Sequence, residues 1–258
     1  MAFVNNSYSD DRRIEGIGTP AETWQQWPGL AALPELHADR LIPPGQRAVI
    51  VAPHPDDEVL GCAGLMMQLA LLDRPQTLIA VTDGTGSHPG STRWPPQRLA
   101  HERPEESARA LAALGLSSVP VTRLDLPDTM VAEHEDTLVK QLLTQLSPDD
   151  VLLTTWRGDG HPDHEATGRA CARAVEAVGC RMLELPIWTW HWAHPDDHRV
   201  PWQRAGQLPL TDYQQRLKHL AITCHASQLD ADETTGHGPV LSRHTLERLL
   251  RPVEVILQ

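Results

Sequence analysis

Short apolar runs alternate with longer segments of helical spacing along most of this chain. Runs rich in Val, Ile and Leu, which are typical of buried strands, occupy residues 48–52, 77–82, 119–124, 151–155 and 182–188. Segments in which apolar residues recur at helical spacing predict helices over residues 59–72, 97–114, 135–146, 165–178, 212–223 and 242–250. This alternation predicts an α/β fold with a mostly parallel β-sheet that helices cover on both faces.

Local signals refine these elements. Pro104 is expected to mark the true start of its helix, because proline is tolerated in a first turn and disrupts a helix interior. Leu71 and Ala108 fall on the faces of their helices that are predicted to point inward. We expect a further strand over residues 199–204, and an apolar run over 253–257 closes the sequence.

The first part of the chain is less regular than the rest. Residues 1–45 contain prolines at positions 20, 28, 34, 43 and 44, which favours an irregular arm with at most short helices from Ala21 and Leu30. No linker-like stretch divides the remaining residues. We therefore expect a single Rossmann-like domain over residues 46–258, with the arm packed against it.

Composition narrows the class of partner and the location. The 258 residues include 22 basic and 34 acidic side chains, and the net charge of −12 argues against nucleic acid or an anionic membrane surface as a partner. The N-terminus lacks the pattern of a signal peptide, and no apolar run reaches the ~18 residues of a membrane span, so we expect a cytoplasmic protein without integral membrane association. The four cysteines show no Cys-x-x-Cys pairing and are interpreted as reduced core residues.

Two of the predicted strands end in side chains of the kind that bind metals. The first strand leads to His54, Asp56 and Asp57, and the fourth leads to His161 and His164. Parallel strands place their carboxyl ends at one edge of a sheet, where ligand crevices form. A catalytic zinc uses three protein ligands and keeps one position open. The residues alone therefore predict a site made of His54, Asp57 and one of the two later histidines.

These motifs resemble those of a known family. Pro-His-Pro-Asp-Asp-Glu at 53–58 and His-Pro-Asp-His at 161–164 are similar to the metal motifs of the zinc-dependent N-acetylglucosaminyl deacetylases called PIG-L or LmbE-like. The resemblance continues to about Gln228 and includes five shorter motifs, which are Thr82-Asp83-Gly84, Arg103-x-x-Glu106, Leu-Pro-Asp128, Lys218-x-x-Ala221 and Ser227-Gln228.

The resemblance implies a ligand set and a cofactor. His54, Asp57 and His164 would be the metal ligands, which selects His164 over His161. The implied ion is Zn²⁺, and another divalent ion such as Fe²⁺ is compatible with the same ligands.

The resemblance also implies catalytic roles. Asp56 would act as general base on the water beside the zinc. His161 would stabilise the tetrahedral oxyanion or protonate the leaving amine. Asp163 would orient the ring of His161, although a plain helix N-cap explains this residue equally well.

Other residues near the predicted crevice are weaker candidates. Glu58 is interpreted as a surface acid in the first turn of a helix. The Trp-rich segment 188–192 leaves the fifth strand at the same edge and is a candidate wall for a sugar pocket, with core packing as the alternative. His-Pro-Asp-Asp at 194–197 repeats the opening motif and is interpreted as a chance recurrence. Topology places four residues as candidate substrate contacts: Gly84, Arg93, Asp159 and His191.

We therefore expect a hydrolase that removes the N-acetyl group from an N-acetylglucosamine-containing small molecule or glycoconjugate. One alternative is an amidase that acts on a different sugar-linked amide. Another is a non-catalytic carbohydrate-binding module, which an altered Asp56 or His161 would favour, and neither residue is altered. The Trp-rich segments also suit a homo-oligomer interface.

Overall fold

A computed structural model describes residues 11–258. In this part of the chain, seven strands form one sheet in the order β3-β2-β1-β4-β5-β7-β6. Their bounds are Arg47–Ala52 (β1), Gln76–Ala80 (β2), Val121–Arg123 (β3), Asp150–Thr155 (β4), Arg181–Leu185 (β5), Ala205–Pro209 (β6) and Val253–Leu257 (β7). The pairs among the first five are parallel, and β7 runs antiparallel to both of its neighbours. The predicted α/β class and mostly parallel sheet are confirmed.

Helices connect the strands. Between residue 11 and β1 lie three short helices, namely Ala21–Gln25 (α1), Pro28–Ala31 (α2) and Ala38–Leu41 (α3). The remaining helices are Asp57–Leu71 (α4), Pro96–Ala113 (α5), Glu135–Leu143 (α6), Pro162–Val178 (α7), Thr189–Trp192 (α8), Asp212–Thr223 (α9), Ala226–Leu229 (α10) and Arg243–Leu249 (α11). Within the described residues, no helix combines the length and apolar character needed to cross a bilayer.

The central strand β1 shows why the sheet is buried on both faces. Val49 and Val51 belong to one apolar cluster, whereas Ile50 belongs to a second cluster on the opposite face. Successive side chains of a strand point to opposite faces, so a run of apolar residues supplies both cores at once. The turns that leave β1 and β4 are thereby held at the edge of a rigid sheet.

Several local expectations were wrong. Helix α5 begins at Pro96 and continues through Pro104, because the side chains of Arg103 and Glu106 on either side are buried and hydrogen-bonded to other segments. Ala108 is exposed, and Leu71 is 81% exposed. The extra strand lies at β6, after a 3₁₀ turn over Trp202–Arg204, rather than over 199–204.

The cysteines are only partly as expected. All four are free thiols, as expected. Cys62 and Cys171 are core residues, whereas Cys180 and Cys224 are only half-buried.

The N-terminal arm packs on the domain through tryptophans. Trp24 is fully buried, and its ring lies 5.0 Å from that of Trp190. Its Nε1 donates a hydrogen bond to the carbonyl of Trp190 at 3.0 Å, and Thr19 N donates to the carbonyl of His191 at 2.8 Å. The arm is therefore attached to α8, the short helix that follows β5. The first ten residues of the predicted arm lie outside the described residues.

Candidate metal centre

The turn after β1 brings His54, Asp56 and Asp57 to the carboxyl edge of the sheet. Asp56 precedes the first residue of α4 and has φ 129°. This value is unfavourable for a residue with a side chain, so surrounding contacts must hold it. Its carbonyl accepts hydrogen bonds from the amides of Val59 and Leu60, which fixes the start of the helix. The tight turn points neighbouring carboxylates in different directions.

The turn after β4 provides the second group of side chains. His161 precedes α7, and its Nδ1 accepts a hydrogen bond from Asp163 N at 3.3 Å. His164 lies in the first turn of α7 and is fully buried. The rings of His54 and His164 are 5.3 Å apart between centroids, and those of His54 and His161 are 5.0 Å apart. The two turns therefore meet, as the sequence predicts.

The separations of the donor atoms suit a divalent ion. Asp57 Oδ2 lies 3.3 Å from His54 Nδ1 and 3.3 Å from His164 Nε2. Ligand atoms about 2.0–2.1 Å from a tetrahedral zinc ion are about 3.3–3.4 Å from one another. His54, His161 and His164 also offer nitrogens that all lie within 4.8 Å of one another. The cluster therefore fits a cation held by ligands from both turns.

The environment of His164 fits a metal ligand. Within the described residues, its buried Nε2 has no hydrogen-bond partner, while its Nδ1 lies 2.8 Å from Asp159 Oδ2. Burial alone would lower the pKa of the His164 ring, but Asp57 and Asp159 raise this pKa to about 9. A ring that attracts a proton this strongly also favours a metal cation in the proton's place.

Asp159 has a role that differs from the expected substrate contact. Its carboxylate is fully buried and accepts hydrogen bonds from the amides of Ile187, Trp188 and Thr189, each at 2.9 Å, and from the Thr189 hydroxyl at 2.6 Å. The bond to His164 Nδ1 leaves Nε2 as the free ring nitrogen. Carboxylates that fix the tautomer of a ligating histidine in this way are common around zinc.

Asp163 also differs from its expected role. Its Oδ2 accepts a hydrogen bond from Thr129 N at 2.7 Å and lies 3.3 Å from His54 Nε2. Asp163 therefore orients His54 rather than the ring of His161, which contacts only the Asp163 amide. Asp128 Oδ1 is 3.2 Å from the same nitrogen of His54.

The carboxylates of Asp128 and Asp163 set the charge of His54. Burial alone would lower the pKa of His54, but its contacts with Asp128, Asp163 and Asp57 raise it well above the usual value. His54, Asp128 and Asp163 form a second group with ligand-type atoms within 4.8 Å. Backbone amides already donate to both carboxylates, Gly86 N to Asp128 at 2.6 Å and Thr129 N to Asp163. These two carboxylates are therefore better suited to support His54 than to bind an ion themselves.

His161 is held in its neutral form. Burial, followed by the neighbouring His164 and His54, lowers the pKa of His161 to about 2. Its Nδ1 accepts a hydrogen bond from Asp163 N, so the proton of the neutral ring belongs on Nε2. The ring can therefore donate a hydrogen bond from Nε2.

Asp56 is supported from two sides. Arg103 Nη2 lies 3.2 Å from Asp56 Oδ2 and donates at 2.7 Å to the carbonyl of Pro55. Glu58 accepts the Asp56 amide at 3.1 Å and is 1% exposed, so its interpretation as a surface acid was wrong. Burial raises the pKa of Asp56 to about 7, although Arg103 opposes the shift. A carboxylate with a pKa near neutrality is suited to accept and release a proton at physiological pH.

The site opens into a pocket of about 230 Å³. Both turns line it, together with Arg103, Asp128, Trp188, Gln228 and Leu241. This volume is below the ~300–1,000 Å³ of typical ligand pockets, so the pocket suits a small chemical group. Trp188 therefore lies where the sequence placed a candidate pocket wall.

Three expected substrate contacts lie elsewhere. Gly84 packs against Arg103, where a Cβ would fall 1.7 Å from Arg103 Nη1. Arg93 is bonded to Asp230 Oδ2 at 2.6 Å. His191 is buried and lies 2.9 Å from Arg248 Nη2, below the arm. None of the three lines the pocket described above.

Sequence reasoning gave no role to Arg103, Asp128 or Gln228. The signal for Asp128 was present, because it follows β3 and the ends of parallel strands share one edge. The position of Gln228 depends on a contact between segments that are distant in sequence. Glu106 on α5 accepts a hydrogen bond from Ser227 N at 2.7 Å, and this bond holds α10 beside the pocket. No local sequence pattern predicts such a contact.

Fold and site together define a class of protein. It is an α/β protein with imidazole and carboxylate side chains at the carboxyl edge of a parallel sheet. The family model described as PIG-L, GlcNAc-PI de-N-acetylase, matches residues 49–175. This match covers just under half of the chain, includes both turns, and agrees with the resemblance of the motifs to the PIG-L or LmbE-like family.

Three similar proteins are named as deacetylases. The chain is 28% identical over 136 residues to the probable N-acetyl-alpha-D-glucosaminyl L-malate deacetylase 2 of Bacillus subtilis, covering 50% of this chain and 61% of the relative. It is 29% identical over 140 residues to the diacetylchitobiose deacetylase of Thermococcus kodakarensis, covering 52% and 51%. The match thus spans about half to three fifths of these relatives. A solved deacetylase of the teicoplanin biosynthesis pathway, 18% identical, shares the fold with a TM-score of 0.61 over 82% of this chain and 97% of that one.

Proposed function

We propose that this protein is a zinc-dependent N-deacetylase that removes the acetyl group from an N-acetylglucosamine-containing small molecule or glycoconjugate. The observation that carries the proposal is the buried Nε2 of His164, which lines the pocket 3.3 Å from Asp57 Oδ2 and has no hydrogen-bond partner among residues 11–258. The names of the relatives, a probable N-acetyl-alpha-D-glucosaminyl L-malate deacetylase and a diacetylchitobiose deacetylase, support an N-acetyl sugar as the substrate. The cytoplasmic location and a homo-oligomeric state stay predictions.

His54, Asp57 and His164 would hold the ion. When bound, zinc supplies Lewis acidity that lowers the pKa of water and polarises an amide carbonyl. Asp57 is suited to bind a cation, because His164 and His54 lower its pKa although burial opposes this effect. Fe²⁺ is compatible with the same nitrogen and oxygen donors.

Asp56 and His161 would perform the proton and charge steps. Asp56 accepts a proton from the attacking water and returns it to the departing amine, which its pKa of about 7 permits. His161 donates a hydrogen bond from Nε2 to the oxyanion that develops on the acetamide oxygen. Its low pKa favours this role over that of an acid. Asp163 and Asp159 position His54 and His164.

The division between Asp56 and Asp57 gives the decisive test. We expect purified protein to bind about one zinc per chain, held by His54, Asp57 and His164, and to release acetate from N-acetylglucosamine conjugates. Asp56→Asn should keep the metal and lower kcat by about 10²–10⁴-fold, the contribution typical of a general base. Asp57→Asn should lose metal and turnover together. Zinc content by atomic emission and acetate release by an enzyme-coupled assay measure the two effects separately.

A surface variant provides the control. Asp136→Asn alters a carboxylate that is 79% exposed and lies on α6, so both readouts should match those of the unaltered protein. Zinc-loaded protein that leaves a broad panel of N-acetyl sugars untouched would refute the proposed activity. If it cleaves a larger amide on the same sugars instead, the activity is that of the amidase alternative.

A further inference from the structure

A second pocket lies between α9 and the chain that follows α11. It has a volume of about 230 Å³, and we call it the α9 pocket. Its lining residues are Gln215, Arg216, Lys218, His219, Leu250 and Arg251. Among these described residues there is no carboxylate, although the chain as a whole is acidic with a net charge of −12. The α9 pocket is therefore locally basic.

Arg251 is the unusual member of this set. It is 5% exposed, and within residues 11–258 its Nε and Nη1 have no hydrogen-bond partner. Its Cζ lies 3.6 Å from the ring centroid of Trp190, so an indole covers one face of the guanidinium. Burial lowers the pKa of Arg251 to about 9, which leaves it charged at neutral pH.

The buried guanidinium of Arg251 would be stabilised by a nearby negative charge. An uncompensated buried charge is strongly unfavourable, and cation–π contact replaces only part of the lost hydration. The neighbouring Lys218 does not compete for an anion, because its Nζ is paired with Glu254 Oε1 at 2.8 Å. Arg216 lies at an exposed position of α9 and adds a second positive charge near the entrance.

We propose that the α9 pocket binds a small anion of the carboxylate or phosphate type, with Arg251 as its buried anchor and Arg216 at its entrance. Guanidinium groups bind both kinds of anion through paired N–H donors. A volume of 230 Å³ corresponds to several water molecules at about 30 Å³ each, which suffices for such an ion with part of its hydration.

The anion can come from two sources. A larger cleft of about 780 Å³ shares His219 and Leu250 with the α9 pocket and shares Leu241 with the catalytic pocket. The anion is thus either an acidic group carried by an extended substrate or a separate small ion. The proposal of an anion site holds in both cases and does not depend on the proposed deacetylase activity.

Phosphate binding tests the site directly. Zinc-loaded protein is titrated with inorganic phosphate at constant ionic strength, and heat is measured by calorimetry. We expect Arg251→Met to weaken phosphate binding by about tenfold or more, which is the effect of losing charge-assisted hydrogen bonds. Arg216→Gln, an exposed change that leaves the fold intact, should weaken it by a smaller factor. Arg173→Gln on α7, where the side chain is 50% exposed, is the matched control and should have no effect.

The outcomes distinguish phosphate binding at the α9 pocket from binding at other sites. Absence of saturable phosphate binding in the unaltered protein overturns the proposal. Phosphate binding that persists in both Arg251→Met and Arg216→Gln also overturns it, because the ion then binds at the catalytic metal or elsewhere.

Kinetics then identify the source of the anion. A rise in KM caused by Arg251→Met only for conjugates with acidic aglycones assigns the anion to the substrate. Weakened phosphate binding with unchanged KM for acidic and neutral conjugates assigns it to a separate ion.

Discussion

Asp159→Asn tests the claim that Asp159 sets the tautomer of a metal ligand. Asp159 Oδ1 accepts three hydrogen bonds, whereas Oδ2 accepts one from Trp188 N and lies 2.8 Å from His164 Nδ1. The Asn amide nitrogen should replace Oδ2, because that position faces fewer donors. His164 Nδ1 must then either accept a hydrogen bond from this Asn nitrogen, which places the ring proton on Nε2, or stay protonated. If Nδ1 stays protonated, two N–H donors face each other.

The cost of this change can be estimated from the contacts. A buried donor without an acceptor is unfavourable by about 1–3 kcal/mol, which corresponds to about 5- to 150-fold in a dissociation constant. Outer carboxylates around zinc typically contribute about 10–100-fold to metal affinity. We therefore expect Asp159→Asn to weaken zinc binding by about 10–100-fold while the protein stays folded.

Competition with a chromophoric chelator at neutral pH measures zinc affinity, and circular dichroism reports the fold. Asp136→Asn replaces a carboxylate that is 79% exposed, so its zinc affinity should match that of the unaltered protein. The reasoning is refuted if Asp159→Asn lowers the melting temperature but leaves zinc affinity within about twofold, a free-energy difference below about 0.5 kcal/mol.

Two further predictions concern stability. Gly84→Ala should lower the free energy of unfolding well beyond Gly90→Ala, because both sites have positive φ but only at Gly84 would the Cβ meet Arg103 Nη1, at 1.7 Å. Urea unfolding compares the two, and equal losses would show that the Arg103 contact is unimportant. Arg47→Met should lower stability at pH 7, and the difference from the unaltered protein should shrink as the pH falls below about 4. Burial opposes the shift, but bonds from Arg47 lower the pKa of Asp150, so the stabilisation is present above the unfolded pKa and is lost on acidification. A difference that is constant with pH would contradict this assignment.

The meeting of the two histidine-bearing turns at one sheet edge could be predicted because their signals are local. The apolar strand ends at Pro53 and a helix follows, so His54 and Asp57 fall at the sheet edge. This signal lies entirely within the local sequence. The role of Asp159 could not be predicted in the same way. Its hydrogen-bond partners at 187–189 lie next to it only because β4 and β5 pair in the sheet. The local sequence around an acidic residue after a strand does not distinguish a buried carboxylate from one that faces a substrate.

Helix α5 shows a second limit of local reasoning. Pro104 opposes a helix by its own chemistry, and the sequence interpretation followed that preference. The buried hydrogen bonds of Arg103 and Glu106 to Gly84 and Ser227 outweigh it in the folded chain. Those bonds need partners that are distant in sequence, so propensity alone gives the wrong start for this helix.

The attachment of the arm to α8 has a dynamic consequence. Trp24 bonds to the carbonyl of Trp190, and the amides just before that residue hold Asp159, which in turn holds His164. Residues linked in this way open together, as one cooperative unit. Amide hydrogen exchange at Thr189 should therefore have the same opening free energy as exchange in the arm. A substitution in the arm would then affect His164 by making this unit open more often, even though no contact of His164 itself is removed.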